Sequence, residues 1–375
     1  IQSYELAPQC DEDNEEAAQP LMLEYVAQEQ WERAEPLAEM LVKKAGRRER
    51  AEQHMLQHTL GKILQARKNY AGALKAYQAA NQLDLTNQDT IRGLAEVSFE
   101  LEDWPSALTN YQKVLTSLEE HDIEQRAHVY YKLGRVKQAQ GQGKQAINNY
   151  EKALQVDPAH RETLEAMVVV YEQGRDYAQV AHYKRIILDN VFDGDERHTM
   201  LVDIGDLWAD KDRGKTPAKA IEAYEEALDI KPSDHVVLHK QLAACQAAQQ
   251  WERMVDTLQR IADNDGRVEA KVRAVRMMAQ VYRDFLDDKE RAGELFNPVL
   301  DLDPTALDDF ERINKILTSM KDWKQLERAY RKMLHRLAGL QRDDLGGQKK
   351  SLVEFNLWHA LGLIYRDRLQ EKEKA

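Results

Sequence analysis

The stretch DWPSALTNYQKVLTSLEE, residues 103–120, opens on an aromatic and follows it at fixed steps with Ala107, Tyr111 and Val114. Apolar residues three and four apart make one face of a helix. The same frame returns at QWERAEPLAEMLVKKAG (Trp31, Ala34), DYAQVAHYKRIILDN (Tyr177, Val180), QWERMVDTLQRIADN (Trp251, Met254) and DWKQLERAYRKMLHRL (Trp323, Leu326). The second marks of these segments lie 73, 73, 74 and 72 residues apart. The chain is an array.

A second series interleaves with the first. It runs AGALKAYQAANQLDL (Ala73, Tyr77, Ala80), KQAINNYEKALQVDP (Ala146, Tyr150, Ala153, Pro158), AKAIEAYEEALDIKP (Ala220, Tyr224, Ala227, Pro232) and ERAGELFNPVLDLDP (Ala292, Phe296, Val299, Pro304). Merged, the marks fall at 34, 73, 107, 146, 180, 220, 254, 292 and 326, with steps alternating between 34 and 38–40 residues. A unit of 34 residues is therefore nested in a double unit. Upstream of the marks lies another amphipathic stretch, in which Leu-Gly or Ile-Gly recurs at 60–61, 133–134, 204–205 and 361–362, with Met278-Ala279 replacing it once. Each unit reads as two helices joined by a short Gly-, Asn- or Asp-containing turn. Small residues suit a helix crossing, where axes 8–10 Å apart exclude large side chains.

At a period of 34, Leu-Gly, an aromatic, then Ala, aromatic, Ala and Pro together resemble the tetratricopeptide repeat. The resemblance covers residues 15–375; it is closest in repeats two, four and six and weaker where Val180, Met254 and Leu326 stand for Ala. It implies an all-α, right-handed α-solenoid, a superhelix of antiparallel helix pairs. The expected organisation is an acidic tail, 1–14, followed by nine helix pairs and one truncated repeat, 355–375. The alternating double unit is similar to the family's long bacterial arrays.

Insertions fall mainly between double units, at EEHDIEQR, DNVFDGDERH and AGLQRDDLGGQKK, while KDRGKTPAK lengthens the turn of the sixth repeat. All four are expected to be loops. Thr216-Pro217 reads as a helix cap followed by proline at the first helical position. Pro298 lies inside a helix and is expected to kink it. YRDRLQEKEKA (365–375) aligns without a gap to YRDFLDDKERA (282–292), so the chain stops where another second helix is due. It also starts on Ile rather than Met. Both ends read as those of a fragment of a longer protein.

The totals exclude several classes. Acids outnumber bases 65 to 53, a net charge of -12, which disfavours nucleic acid and anionic membrane as partners. No run approaches the roughly 20 apolar residues of a membrane span, so direct insertion is not expected. Cys10 and Cys245 form neither a disulfide framework nor a metal spacing. Cys245 reads as a packing residue and not a nucleophile. DNVFDGDE (189–196) fails as a calcium loop, because Val191 and Met200 stand where oxygen ligands belong. HExxH, phosphate-loop and GxSxG motifs are absent from the sequence. No catalytic residue, cofactor or metal is expected. The compartment stays open, with the cytoplasm favoured, because a targeting segment upstream of Ile1 would not be seen.

What remains is surface. The spacing of Trp31, Trp104, Trp251 and Trp323 places them in the core between repeats. In the family, positions two, five, nine and twelve of successive first helices line a concave groove. Carried over, these give His58, Lys62, Arg92, His128, Tyr131 and Arg135 in repeats two to four, diluted by Asp89 and Glu96. They give Glu162, Glu165, Glu172 and Asp206 in repeats five and six, and Arg273, Arg276 and Arg283 in repeat eight. The expected groove is basic, then acidic, then basic. The Lys-and-Asn clamp with which some members hold peptide C-termini is not present, since those positions hold His58, Arg92, Lys62 and Glu96. The function implied is a non-catalytic scaffold that binds a partner protein or peptide in the groove. The alternatives are a regulatory or substrate-binding arm of a larger transferase or kinase, and end-to-end self-association through the open C-terminal repeat.

Overall fold

The computed structural model describes residues 15–341, 343–345, 348–371 and 373–374. The acidic tail with Cys10, and Ala375, lie outside the described residues. The described residues form 19 α-helices in two compact units that divide after Asn190. Within each unit, each helix packs on its neighbours in sequence.

The first unit holds five helix pairs. Its first helices are α1 (Glu15–Ala27), α3 (Arg50–Ala66), α5 (Gln88–Glu100), α7 (Ile123–Ala139) and α9 (Arg161–Gln173). Its second helices are α2 (Trp31–Lys44), α4 (Tyr70–Leu83), α6 (Trp104–Ser117), α8 (Gly143–Val156) and α10 (Tyr177–Asp189). The second unit holds α11 (Gly194–Ala209), α12 (Pro217–Ile230), α13 (His235–Ala248), α14 (Trp251–Asn264), α15 (Val268–Asp284), α16 (Lys289–Leu302), α17 (Leu307–Met320) and α18 (Trp323–Ala338). A two-residue hairpin follows, β1 (Asp344–Leu345) with β2 (Gln348–Lys349), and then α19 (Lys350–Leu363), which widens into a π-turn at Ile364–Leu369.

Asp and Asn start many of these helices. Asn69, Asn87, Asp103, Asp176, Asp193, Asp234, Asp288 and Asp322 each accept a hydrogen bond from a backbone N–H in the first turn, satisfying donors that a helix cannot satisfy itself. Thr216 departs from this. It holds the cap position before Pro217, but its hydroxyl donates to the Gly214 carbonyl at 2.9 Å and caps nothing.

The turn between the two helices of each repeat contains one left-handed residue, and it is rarely the one the sequence suggests. The position is taken by Glu29, Lys68, Glu102, Arg175, Lys215, Gln249, Asp287 and Lys321, and by glycine only at Gly141. Packing of the helices on either side holds L-residues in a backbone region they seldom adopt.

All nine marks are buried: the six alanines and Val180 are fully enclosed, and Met254 and Leu326 nearly so. Glycine in the Leu-Gly pair has a sharper cause than helix proximity. A Cβ on Gly134 would lie 2.3 Å from the Tyr150 ring, and one on Gly205 would lie 2.4 Å from Tyr224. Tyr77 is gripped twice, by Gly61 within its own repeat and by Gly93 in the next. The rings are buried, and their hydroxyls donate back to the first helix: Tyr77 to Gln65 at 2.8 Å, Tyr150 to Gln138 at 2.7 Å and Tyr224 to Asp206 at 2.7 Å. Glycine and tyrosine are thus two halves of one joint. Where Met278-Ala279 replaces Leu-Gly, the ring is Phe296, which has no hydroxyl to place.

Several other expectations meet the structure here. Trp31, Trp104 and Trp323 are half-buried against the repeat cores, and Trp251 stacks on Phe285 at 3.7 Å. Cys245 is fully buried, and that burial pushes its thiol up. Helix α16 runs from Lys289 to Leu302 without a break at Pro298, which is exposed. The insertion before α19 is not a plain loop, because its hairpin buries Leu345 in the core of the second unit. Among the described residues no helix is long and apolar enough to cross a membrane, and no His, Cys, Asp and Glu group could hold a metal ion.

Candidate protein-binding face

First helices in the first unit spend their apolar side on α4, α6 and α8 and leave a polar side uncommitted. His58 on α3 is the most constrained member of that side. Its Nδ1 lies 3.1 Å from the Thr90 hydroxyl, and His54 Nε2 lies 3.0 Å from the same oxygen. One hydroxyl supplies one proton, so a histidine must donate the other hydrogen bond. Burial lowers the His58 pKa. Lys62, one turn on, is exposed.

Helices α5, α7 and α9 carry the richer surface. Arg92 donates to Gln125 Oε1 at 2.9 Å, and Glu96 receives Lys132 at 3.0 Å with His128 at 3.9 Å. Arg135 donates to the Tyr131 hydroxyl at 2.8 Å and lies over the ring. The rings of His128, Tyr131 and His160 form a triangle with centroid separations of 6.0, 5.8 and 6.2 Å. His160 is fixed in this triangle because it also caps α9, its Nδ1 accepting from the Thr163 backbone N–H. Glu162 Oε2 lies 3.6 Å from His160 Nε2, and Glu165 pairs with Arg161 at 2.9 Å.

Two clefts open on either side of the triangle. One, of about 620 Å³, is lined by Arg92, Glu96, Tyr111, Glu124, Gln125, His128, Asp157, His160, Arg161 and Glu162. The other, of about 410 Å³, is lined by Phe99, Trp104, Tyr131, Arg135, Glu162, Glu165 and Val169. Glu162 belongs to both. The structure therefore brings Arg92, His128, Tyr131, Arg135, Glu162 and Glu165 together, while His58, Lys62 and Glu172 line neither cleft.

The basic residues expected across repeats two to four have acidic neighbours in the larger cleft. In the larger cleft four carboxylates face two guanidinium groups. The added acids, Glu124 and Asp157, stand at the start of α7 and in the turn before α9, and Tyr111 and Trp104 come from α6. A rule that counts only four positions of each first helix omits turns and second helices. Their signal in the sequence was present but unassigned: Trp104 and Tyr111 were visible only as packing residues.

In the second unit the expected residues are mostly committed elsewhere. Asp206 accepts from Tyr224 and, at 2.6 Å, from Lys240. Arg276 donates at 2.6 Å to Asp309, a carboxylate only 1% exposed that also holds Arg312. Arg283 forms a two-pronged pair with its neighbour Asp284. Arg273 is exposed and makes no ion pair among the described residues. The three arginines are not one basic patch.

Residues 88–159, which carry α5 to α8, match the tetratricopeptide repeat family model. The glycine-on-tyrosine joint inside that segment recurs at Gly61 before it and Gly205 after it. Residues 88–159 are tetratricopeptide repeats, and the helical-repeat array continues on both sides of them. Similar solved structures include a tetratricopeptide repeat protein from Parabacteroides merdae ATCC 43184, at 13% identity over 84% of this chain and 100% of that one, with a TM-score of 0.37. The C-terminal part of a TPR repeat-containing protein from Cytophaga hutchinsonii is 15% identical over 68% of this chain and 98% of that one, with a TM-score of 0.39. YrrB, a TPR protein with an unusual peptide-binding site, is 19% identical over 56% of this chain and 99% of that one, with a TM-score of 0.38. No curated protein matches the sequence. In this helical-repeat array, the first helices of the first unit supply the clefts and the second helices supply part of their walls.

Proposed function

We propose that the chain is a non-catalytic scaffold, a single repeat array over residues 15–375 behind an acidic segment 1–14, that captures a partner protein or peptide on its first-helix side. The observation that carries this reading is the pair of adjoining clefts on α5, α7 and α9. They are lined by charged and aromatic side chains, of which Glu124, Arg135, Glu162 and Glu165 stay exposed. Recognition by such a face rests on charge and shape, which set specificity and association rate more than raw affinity. Lys62, Glu172 and Arg273, exposed and outside the clefts, are secondary candidates for contact. The acidic balance of the chain supports a protein rather than a nucleic acid as partner.

The test is site-specific photo-crosslinking in lysate of the source cell. A benzophenone amino acid replaces Arg135 on the cleft side or Lys152 on the exposed side of α8. Partner adducts at position 135 and none at 152 are expected. Adducts at 152 alone, or at neither, would refute capture on this face.

A further inference from the structure

We propose that the two clefts of the first unit act as one bipartite site for an extended peptide segment carrying a Lys or Arg side chain two residues away from a large apolar one. The inference deepens the capture reading above and rests on it.

Charge assigns the first half. With Glu96 paired to Lys132 at 3.0 Å, the carboxylates of Glu124, Asp157 and Glu162 still outnumber Arg92 and Arg161 in the larger cleft. Both arginines face acceptors inside the protein, Arg92 at Gln125 and Arg161 at Glu165. Burial lowers the pKa of His128, so that ring adds no positive charge near pH 7. An anion would meet net repulsion here, whereas an ammonium or guanidinium would meet carboxylates at hydrogen-bonding range.

A second observation is independent of charge. The Tyr111 side chain lines the same cleft, is 1% exposed, and has a hydroxyl that makes no hydrogen bond of acceptable geometry. Burial, and then the nearby Glu96 carboxylate, hold that hydroxyl un-ionised far above the usual phenol range. A buried hydroxyl with only an ill-aligned carboxylate beside it is poorly satisfied. A ligand N–H reaching into the cleft would supply a partner.

The smaller cleft has different walls. Phe99 meets Trp104 edge-on at 5.6 Å, and Val169 leaves 44% of its surface in solvent at the mouth. Aromatic walls with an exposed aliphatic rim suit an apolar side chain.

Spacing joins the halves. His128 lines the first cleft and Tyr131 the second, and their ring centroids are 6.0 Å apart. Side chains i and i+2 of an extended chain lie on one side, roughly 6.5–7 Å apart. The clefts share Glu162, so a peptide crossing the triangle reaches both, and the shortest same-side step of an extended chain leaves a single residue between.

Fluorescein-labelled Gly-Ser dodecamers carrying Arg-Gly-Trp, in either order, provide the probe, read by fluorescence anisotropy. The controls carry Arg-Gly-Ser, Ser-Gly-Trp, Glu-Gly-Trp, or Arg and Trp separated by four glycines. The proposal expects the paired peptide to bind at least tenfold more tightly than each control. The double variant Glu124→Lys/Glu162→Lys is expected to abolish the Arg preference, and Val169→Asp the Trp preference, with circular dichroism unchanged because all three side chains are exposed. Equal binding of all peptides, or a preference for Glu-Gly-Trp, overturns the bipartite site. Failure of every peptide to bind also overturns it; if position 135 still crosslinks a partner in that case, capture on this face stands. Loss of both signals removes the two readings together.

Discussion

Gly134→Ala isolates the joint on which the repeat depends. An added Cβ would lie 2.3 and 2.5 Å from two carbons of the Tyr150 ring, against the 3.5–4.0 Å at which carbon atoms make contact. The ring is fully buried and its hydroxyl is tied to Gln138 at 2.7 Å, so it must move by more than 1 Å or the helices must part. Overpacking of this kind costs about 1–3 kcal/mol, and a strained or lost hydrogen bond adds about 1 kcal/mol. Alanine returns about 1 kcal/mol through its better helix propensity. The net expectation is destabilisation of about 1–3 kcal/mol. Urea unfolding followed at 222 nm measures it, and hydrogen exchange localises it to α7 and α8, since repeat arrays need not unfold as one unit. Gly143→Ala is the control: it too lies in a helix of this repeat, but a Cβ there meets nothing within 4 Å, and it is expected to be neutral or slightly stabilising. Adding Tyr150→Leu to Gly134→Ala should recover part of the loss, a coupling that two unrelated sites would not show. A Gly134→Ala protein as stable as wild type would refute the joint.

Two further outcomes follow from the structure. Arg276→Glu is expected to destabilise the second unit by about 3 kcal/mol or more, because it removes one cation from the buried Asp309 and sets a second carboxylate beside it. Arg276→Gln should cost less because Arg312 still pairs with Asp309, and chemical denaturation of the residue 191–375 region by hydrogen exchange distinguishes the two. The first unit should lose stability as pH falls from 7.5 to 5.5. Burial lowers the pKa of both His58 and His128, so the unfolded chain takes up protons first, below about 6.5. The stabilisation is complete above that value and is lost as pH falls through the folded-state pKa values. The double variant His58→Asn/His128→Asn should flatten this slope in urea titrations at the two pH values.

The repeat period, the pairing of helices and the buried marks were all legible in the sequence, because a period of 34 and a helical spacing of three and four need no knowledge of distant contacts. At the marks, Val180, Met254 and Leu326 are buried like the alanines they replace, at 4% exposure or less, so position in the repeat mattered more than residue type. The candidate site was only partly legible. Arg92, His128, Tyr131, Arg135, Glu162 and Glu165 were named from first-helix positions and do line the clefts. Asp157 and Tyr111 were not, since a turn and a second helix reach the same cleft only through packing, and Glu124 was not because it stands at the start of α7, outside the four counted positions.

Charge shows most plainly what tertiary structure decides. Arg276 looks in sequence like a member of a basic patch, yet it is neutralised by Asp309 from α17. Asp206 reads as an acidic groove residue, yet it holds a tyrosine hydroxyl and a lysine. The sequence by itself determined the array, because local helical periodicity and its recurrence along the chain are one-dimensional facts. Which charges stay free for a partner was decided only when helices 30 or more residues apart were packed together, since a charge is spent or spared by the neighbour it meets in space.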